Sequence, residues 1–180
     1  MPMCEEPQNE QQWYAIRVTY SREMVAKSYL DSIGIESYVP MHFTERTYGG
    51  KKRKVWEPLI HNLLFIRTSA DKLRKIKAAT TLPIRYIMDR ESKSPTVIPE
   101  RQMRDFMAVV ATQNEHVEIV AAQDVDLTQG DPVRVTEGIF AGIEGRYIRH
   151  KGHSKVAVAI RNVATALTAY IPLKYIAKID

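Results

Sequence analysis

The sequence has one cysteine, Cys4, and no long apolar run. A single cysteine cannot form an internal disulfide, and no neighbouring zinc ligands surround it, so a reducing compartment is favoured. A membrane-spanning helix needs about 20 consecutive apolar residues, and no stretch approaches that length. The opening MPMCEEPQNEQQ is polar and acidic, without the basic and apolar regions of a secretory signal. We therefore expect a cytoplasmic protein with no membrane partner, in which residues 1–12 form a disordered tail.

Catalytic and metal-binding constellations are also missing from the sequence. His42, His61 and His116 are scattered over different predicted elements, with no nucleophile, base and orienting group recurring together. His150 and His153 stand in RHKGHSK without a third ligand, so they predict a hairpin turn rather than a zinc site. We expect no catalytic residues, no metal and no cofactor. A nuclease that uses the scattered histidines is the disfavoured alternative.

The positive charge is concentrated in the first part of the chain. The formal net charge is +5. Residues 1–112 hold 18 lysines and arginines against 13 acidic residues, and residues 113–180 hold 8 against 8, so the differences of +5 and 0 recover the whole. A basic first part favours an anionic partner such as nucleic acid, although a charge this small also serves solubility alone.

Residues 13–112 carry the patterns of a mixed domain. Alternation and helical periodicity predict, in order, strand, helix, strand, hairpin, strand, helix, strand and helix. Ser21 is the expected N-cap of the first helix and Gly34 its expected stop, and Ser69 or Asp71 is expected to open the second helix. This order predicts an α+β fold: an N-terminal α/β sandwich in which helices pack on a mostly antiparallel sheet. Residues 113–126 lack sustained periodicity and predict a linker.

Residues 127–180 change to short strands separated by turn signals. Five such strands in about 55 residues predict a small five-stranded β-barrel, too small to hold an enzyme pocket. Within GDPVRVTEGIFAGIEGRY, Gly138 ends a strand, and Gly142 and Gly145 let the chain reverse and pack closely. Phe140 is expected to fold inward and plug the end of the barrel. The alternative is an ordinary glycine-rich turn with an incidental phenylalanine.

A predicted hairpin over residues 41–58 carries a run of cations beside its glycine turn. The four cations are Lys51, Lys52, Arg53 and Lys54, with Tyr48 and Trp56 on either side. Such a tip could reach nucleic-acid phosphates, and nearby aromatic rings could stack on exposed bases. The alternative is a solvated turn kept soluble by its charges, which is the commoner case for an isolated charge run.

Two motifs resemble one protein family. GDPVRVTEGIFAGIEGRY resembles the KOW motif, which forms an SH3-like barrel in NusG-type transcription factors, and WYAIRVTYSREMVAKSYL resembles the opening of the NusG N-terminal domain. In that family the third strand usually begins with a Pro-Gly-Tyr preceded by a large apolar residue, whereas the equivalent stretch here is Ile60-His61-Asn62-Leu63. The length and the ending TAYIPLKYIAKID further resemble operon-targeted paralogues of the UpxY type, which act as antiterminators for surface-polysaccharide operons.

The resemblance implies a non-catalytic transcription elongation or antitermination factor. Its RNA polymerase partner would be the clamp helices of the largest subunit, with nontemplate DNA or nascent RNA as a further ligand. The barrel would bind Rho or a ribosomal protein. Carried over by position, the candidate polymerase-binding residues are Tyr14, Ser21, Met24, Ile60 and Leu63, each of which could instead pack in the core. A KOW-type RNA-binding or ribosome-associated protein is the alternative function.

Overall fold

The computed structural model describes residues 10–180, which divide into two compact units. The first unit holds residues 10–39 and 61–100, and the second holds 40–60 and 101–180. Cys4 and most of the predicted tail at residues 1–12 lie outside the described part. The elements are β1 (Gln12–Val18), α1 (Glu23–Ser32), β2 (Glu36–Tyr38), β3 (Met41–Tyr48), β4 (Lys51–Pro58), β5 (Leu63–Thr68), α2 (Ala70–Ala79), β6 (Ile84–Tyr86), β7 (Val97–Ile98), α3 (Glu100–Ala111), β8 (Glu118–Ala121), β9 (Asp131–Val135), β10 (Glu144–His150), β11 (His153–Ile160), β12 (Ala164–Leu167) and β13 (Ile176–Lys178), with 3-10 turns at Ala122–Asp124 and Leu173–Tyr175.

An antiparallel sheet forms the centre of the first unit. Its strands follow the order β2-β5-β1-β6, and β7 also pairs with β1. The apolar run of β5 is buried almost throughout, as a strand between two neighbours requires. Helix α1 packs on β2 and β5, with Ala26 and Leu30 buried. The prediction of helices on an antiparallel sheet is confirmed for this unit.

The two predicted helix caps differ in outcome. The Ser69 side chain accepts a hydrogen bond from the Lys72 N–H at 3.4 Å and caps α2. The Ser21 prediction is wrong, because Arg22 occupies the N-cap position of α1 without a side-chain hydrogen bond. Ser21 instead has left-handed backbone in the preceding turn, with φ at 50°. At the other end of α1, Gly34 adopts φ of 70° just past the last helical residue, as predicted.

The second unit contains an isolated hairpin, α3 and a second sheet. Strands β3 and β4 pair only with each other among the described residues, and Gly49 and Gly50 supply the positive φ of the two-residue turn. The second sheet follows the order β13-β9-β10-β11-β12-β8. All five predicted strands after residue 127 are present. Strand β8 adds a sixth, and it lies within the residues expected to form the linker. The strand order runs from β13 to β8 without closing, so the expected five-stranded barrel is not found among the described residues.

Polar contacts join α3 to the second sheet. The Asp105 carboxylate accepts a hydrogen bond from the Glu144 N–H at 3.3 Å, and burial raises the pKa of Asp105. The Glu144 side chain pairs with Arg101 at 2.9 Å and with Arg134 at 2.5 Å. Glu144 thus lies between two guanidinium groups, one on α3 and one on β9.

Candidate functional site

Two loops of the first unit meet at residues with left-handed backbone. Tyr20 (φ 61°) and Ser21 (φ 50°) lie between β1 and α1, and Asn62 (φ 63°) immediately precedes β5. The Asn62 Oδ1 accepts a hydrogen bond from the Ser21 N–H at 2.8 Å, and its carbonyl accepts one from the Val18 N–H at 3.0 Å. Left-handed backbone costs roughly 1–2 kcal/mol for residues other than glycine. Strain of this kind persists where surrounding contacts enforce it, and it concentrates at functional sites.

The chain that follows this strained turn exposes large apolar side chains. Tyr20 is 82% exposed, Val25 55% and Met24 42%. These three residues lie within six positions of one another, and exposed apolar side chains that form a contiguous patch mark protein-binding surfaces. We define Tyr20, Met24 and Val25 as the apolar segment of the first unit.

A buried acid lies within the same segment. Glu23 opens α1 and is 1% exposed, and its Oε1 lies 3.7 Å from Nδ1 of His61. Within residues 10–180 its Oε2 has no hydrogen-bond partner. The first helical turn favours a negative charge, which offsets part of the cost of burying it. Sequence reasoning missed Glu23, whose only signal was an acid at the start of a predicted helix.

The structure separates the five residues proposed for polymerase binding. Ser21 and Met24 are exposed and Ile60 is partly buried. Tyr14 and Leu63 are 3% and 1% exposed, on the paired central strands β1 and β5. Burial also raises the pKa of the Tyr14 phenol. A role in core packing was the alternative for each of these residues. That alternative applies to Tyr14 and Leu63 and does not apply to Ser21 or Met24.

The hairpin divides the four predicted cations between two faces. Side chains directly opposite each other in an antiparallel ladder share a face, and neighbours along a strand alternate. The ladder pairs Phe43 with Trp56, Glu45 with Lys54 and Thr47 with Lys52, and these six residues form what we call the aromatic face. The four pairs that alternate with them form the arginine face, which holds His42, Thr44, Arg46, Tyr48, Lys51, Arg53, Val55 and Glu57.

Only some of the charged side chains of the hairpin form ion pairs. On the arginine face, Arg46 makes hydrogen bonds to both carboxylate oxygens of Glu57 at 3.0 and 3.1 Å. On the aromatic face, Lys52 lies 3.6 Å from Glu45 in a well-exposed pair. Within residues 10–180, no ion pair is found for the other three cations, which are Lys51, Arg53 and Lys54. These three are available to an anionic ligand.

Phe43 and Trp56 form an exposed cross-strand aromatic pair. Their ring centroids are 4.5 Å apart with an interplanar angle of 53°, and the residues are 60% and 48% exposed. Sequence reasoning noted Trp56 and overlooked Phe43, because only the strand register shows that the two rings meet. A groove of about 680 Å³ beside β3 is lined by Phe43, Lys54 and residues of the segment after α3.

The glycine-rich turn of the second unit has the predicted features. Phe140 is 4% exposed, so it is buried as expected. Gly138 and Gly142 both have φ of 87°, and a Cβ on either would meet no atom within 4 Å. Gly145 is required for a different reason, since its Cβ would lie 2.9 Å from Cγ1 of Val156 and closer still to the Ala157 carbonyl. The turn therefore needs two glycines for backbone conformation and one for close packing.

A charge cluster lies at the edge of the second sheet. Lys155 is 6% exposed, and its Nζ donates to Oε1 of Glu118 at 2.9 Å. Lys151 donates to the other oxygen of Glu118 at 2.8 Å. These hydrogen bonds lower the pKa of Glu118 to about 2. His150 and His153 pair across the β10–β11 turn as predicted, and no group of three metal-ligating side chains is found within residues 10–180.

Comparison with protein families identifies the family to which the chain belongs. The family model described as transcription termination factor NusG matches residues 11–107, which include the strained loops, the apolar segment and the hairpin. The chain belongs to the NusG family. NusG proteins are non-enzymatic transcription elongation and termination factors that interact with RNA polymerase.

A solved structure of a NusG protein is similar along the chain. It is titled "Domain interaction in Thermotoga maritima NusG", and it matches with 15% sequence identity and a TM-score of 0.42, covering 95% of this chain and 98% of that one. The NusG family match ends at residue 107, so the glycine-rich turn lies beyond it. No helix within residues 10–180 is long and apolar enough to cross a membrane.

Proposed function

We propose that this NusG-family protein binds RNA polymerase through its first unit and suppresses pausing or termination during elongation. The observation that carries the proposal is the apolar segment beside the strained loops. Tyr20 and Met24 are exposed, and the hydrogen bond from Ser21 to Asn62 holds the turn between them. All of these residues fall within the family match. An apolar surface fixed by strained loops suits a rigid protein partner, since little ordering is left to occur on binding.

The partner proposed for this surface is the clamp helices of the largest polymerase subunit. Of the five residues first considered, Ser21 and Met24 present side chains of the first unit to solvent, whereas Ile60 belongs to the second unit and is partly buried. Tyr14 and Leu63 contribute indirectly, because they are buried on β1 and β5, the paired strands that hold the two loops in place. His61 is 61% exposed at its side chain and pairs with Glu23, so it adds a polar group to the rim. An interface of this kind has an apolar centre and a polar edge.

Residues 127–180, which lie within the second unit, are proposed to form a KOW-type, SH3-like barrel that recruits Rho or a ribosomal protein. Support comes from the buried Phe140 and from the close packing of Gly145 against β11. The domain division proposed is residues 13–112 for the polymerase-binding domain, 113–126 for the linker and 127–180 for the barrel. Strand β8 lies in this linker and pairs with β12 at the edge of the sheet.

A specialised role on selected operons completes the proposal. The resemblance to UpxY-type paralogues supports antitermination on surface-polysaccharide operons, with nontemplate DNA or nascent RNA as the recognised strand. The alternative, a KOW-type RNA-binding or ribosome-associated protein, is less favoured. Residues 113–180 carry 8 cations against 8 acids, and RNA binding by a barrel needs a basic surface.

Met24→Asp tests the polymerase surface, with Ile33→Asp as a matched control. Met24 and Ile33 are 42% and 46% exposed and lie at opposite ends of α1. Burying a charge in an apolar contact costs several kcal/mol, so Met24→Asp is expected to abolish binding to purified core polymerase, and Ile33→Asp to leave it intact. Both variants should melt within a few degrees of wild type. Equal binding by the two variants would remove the apolar segment from the interface.

A further inference from the structure

The hairpin leaves its larger apolar side chains in water. At the level of the Phe43–Trp56 pair, the neighbouring residues Thr44 and Val55 on the arginine face are partly buried. The two large rings lie on the exposed side. A hairpin that needed only stabilisation would place its largest apolar pair on the covered side, where more apolar area leaves water. A cross-strand aromatic pair stabilises a hairpin by up to about 1 kcal/mol, and the exposed area of the two rings is in addition available to a ligand.

Charge on the aromatic face complements a phosphate backbone. Lys52, Lys54 and Trp56 alternate along β4, so they project from the same face at intervals of roughly 7 Å. Lys54 has no ion pair within residues 10–180, and the only acid on this face, Glu45, lies 3.6 Å from the exposed Lys52. Lysines in line with exposed rings form the combination that binds single-stranded nucleic acid, with phosphates on the cations and bases on the rings.

We propose that the aromatic face of the hairpin binds single-stranded nucleic acid, with one or two bases stacked on Trp56 and Phe43 and the adjoining phosphates on Lys54 and Lys52. The proposal deepens the proposed function by naming the ligand of the hairpin. It concerns single strands because bases in a duplex are stacked on one another and do not offer their faces to a protein ring.

The arginine face is a competing site built into the same hairpin. It carries three cations, Lys51, Arg53 and Arg46, against Glu57, so a ligand attracted by charge alone would bind there. A ligand that stacks its bases would bind on the aromatic face. The double variants Lys52→Ala/Lys54→Ala and Lys51→Ala/Arg53→Ala remove equal charge from opposite faces, and all four residues are exposed.

Affinity for a labelled 12-nucleotide single strand, measured by anisotropy with the full chain, separates the two sites. Lys52→Ala/Lys54→Ala is expected to weaken binding and to reduce the slope of log K against log salt by about 1.4, since each single-strand phosphate contact contributes about 0.7. Lys51→Ala/Arg53→Ala should leave the slope near that of wild type. Trp56→Ala should weaken binding at least fivefold, the lower end of what one stacked base contributes. Equal slopes for the two double variants would overturn the proposal.

Tryptophan fluorescence reports the stack directly. The chain has two tryptophans; Trp13 is 4% exposed and Trp56 is 48% exposed, so iodide should quench Trp56 selectively. The single strand is expected to quench Trp56 and to protect it from iodide. An abasic strand of the same length, which keeps the phosphates and lacks the bases, should bind at least fivefold more weakly and give no quenching. Trp56→Phe keeps a stacking ring, so it should bind the strand within about threefold of wild type even if Trp56→Ala fails to fold.

Three results would contradict base stacking on the aromatic face. Equal affinity for the normal and abasic strands would mean that phosphates alone are bound. Tighter binding to a duplex of the same sequence would mean that the hairpin recognises the shape of the duplex and not unstacked bases. Quenching of Trp56 by increasing protein concentration, without nucleic acid, would assign the face to a second copy of this chain. None of these assays contains polymerase, so a failure of polymerase binding leaves their outcome unaffected and the two proposals fail separately.

Discussion

The side chain of Asn62 holds the backbone of Ser21 across two loops, by an N–H···Oδ1 hydrogen bond of 2.8 Å. Asn62 also has φ of 63°, a conformation that asparagine and glycine adopt more readily than other residues. Asn62 therefore combines a backbone conformation that favours glycine with a side-chain acceptor that glycine lacks.

Asn62→Ala is expected to destabilise the first unit by about 2 kcal/mol. About 1 kcal/mol comes from left-handed alanine and about 1 kcal/mol from the missing hydrogen bond. Asn62→Gly relieves the backbone and loses only the hydrogen bond, so its cost should be about half as large. Urea unfolding followed by fluorescence of the buried Trp13, in a Trp56→Phe background, gives both values. An alanine variant as stable as the glycine variant would show that the turn carries no strain.

Glu118→Gln should destabilise the second unit far more than Lys151→Ala. Loss of the carboxylate leaves Lys155, which is 6% exposed, without its charged partner, and an uncompensated buried charge costs on the order of 3 kcal/mol. Lys151 is 71% exposed at its side chain, so its pair with Glu118 should contribute less than about 1 kcal/mol. Chemical denaturation of both variants measures the difference. Similar costs would mean that Lys155 gains water when Glu118 is replaced.

The same carboxylate should give an acid-dependent stability difference. The pKa of Glu118 is lowered from 4.5 to about 2 in the folded protein by its hydrogen bonds to the two lysines. A depressed carboxyl pKa contributes stability that is present above the unfolded pKa and is lost as pH falls through the folded pKa. The advantage of wild type over Glu118→Gln should therefore shrink between pH 4.5 and pH 2. Melting temperatures of the two proteins across this range test it, and a constant difference would contradict it.

Gly145→Ala is expected to be more damaging than Gly142→Ala. A Cβ at Gly145 meets the Ala157 carbonyl and the Val156 side chain, and overpacking of this kind costs roughly 1–3 kcal/mol or more when backbone must move. A Cβ at Gly142 meets no atom within 4 Å, so only the left-handed backbone cost of about 1 kcal/mol applies. Thermal unfolding ranks the two variants. The reverse order would show that β10 and β11 can separate without loss of stability.

Replacing Lys51, Lys52, Arg53 and Lys54 together by alanine tests the hairpin within the proposed elongation complex. Binding to polymerase that carries a nucleic-acid scaffold should weaken, and its salt slope should fall by about 0.7 to 0.9 for each phosphate that the variant no longer binds. Binding to bare polymerase should stay near wild type, because the apolar segment carries little salt dependence. Equal slopes for wild type and the variant on the scaffold would mean that these cations only solvate the hairpin.

Local sequence patterns predicted most of the helices and strands. Where the structure differs from the prediction, contacts between residues distant in sequence explain the difference. Gly49-Gly50 predicted the hairpin turn, and residue type made Ser69 one of two candidates for the cap of α2. Ser21 has the same residue type, but its N–H is bonded to Asn62, a residue 41 positions away that local pattern does not reveal. Strand β8 escaped notice because its four residues are all partly buried and show no alternation.

The burial of individual site residues could not be predicted from the sequence pattern either. Tyr14 and Leu63 lie on neighbouring strands that are apolar in long runs, so alternation could not assign a face to either residue. The Phe43–Trp56 pair depends on the register of two strands joined through a turn. Sequence identified the hairpin and its cations, and the structure was needed to divide those cations between two faces.

The contacts of Glu144 bear on how the protein can be cut into pieces. A chain ending after residue 112 would leave Asp105 without the Glu144 N–H and Arg101 without the Glu144 carboxylate. A chain beginning at residue 113 would lack the same two partners from the other side, leaving Glu144 with Arg134 alone. Neither fragment would reproduce the polar surroundings of its parent, so activity that disappears on truncation would not by itself belong to the missing half.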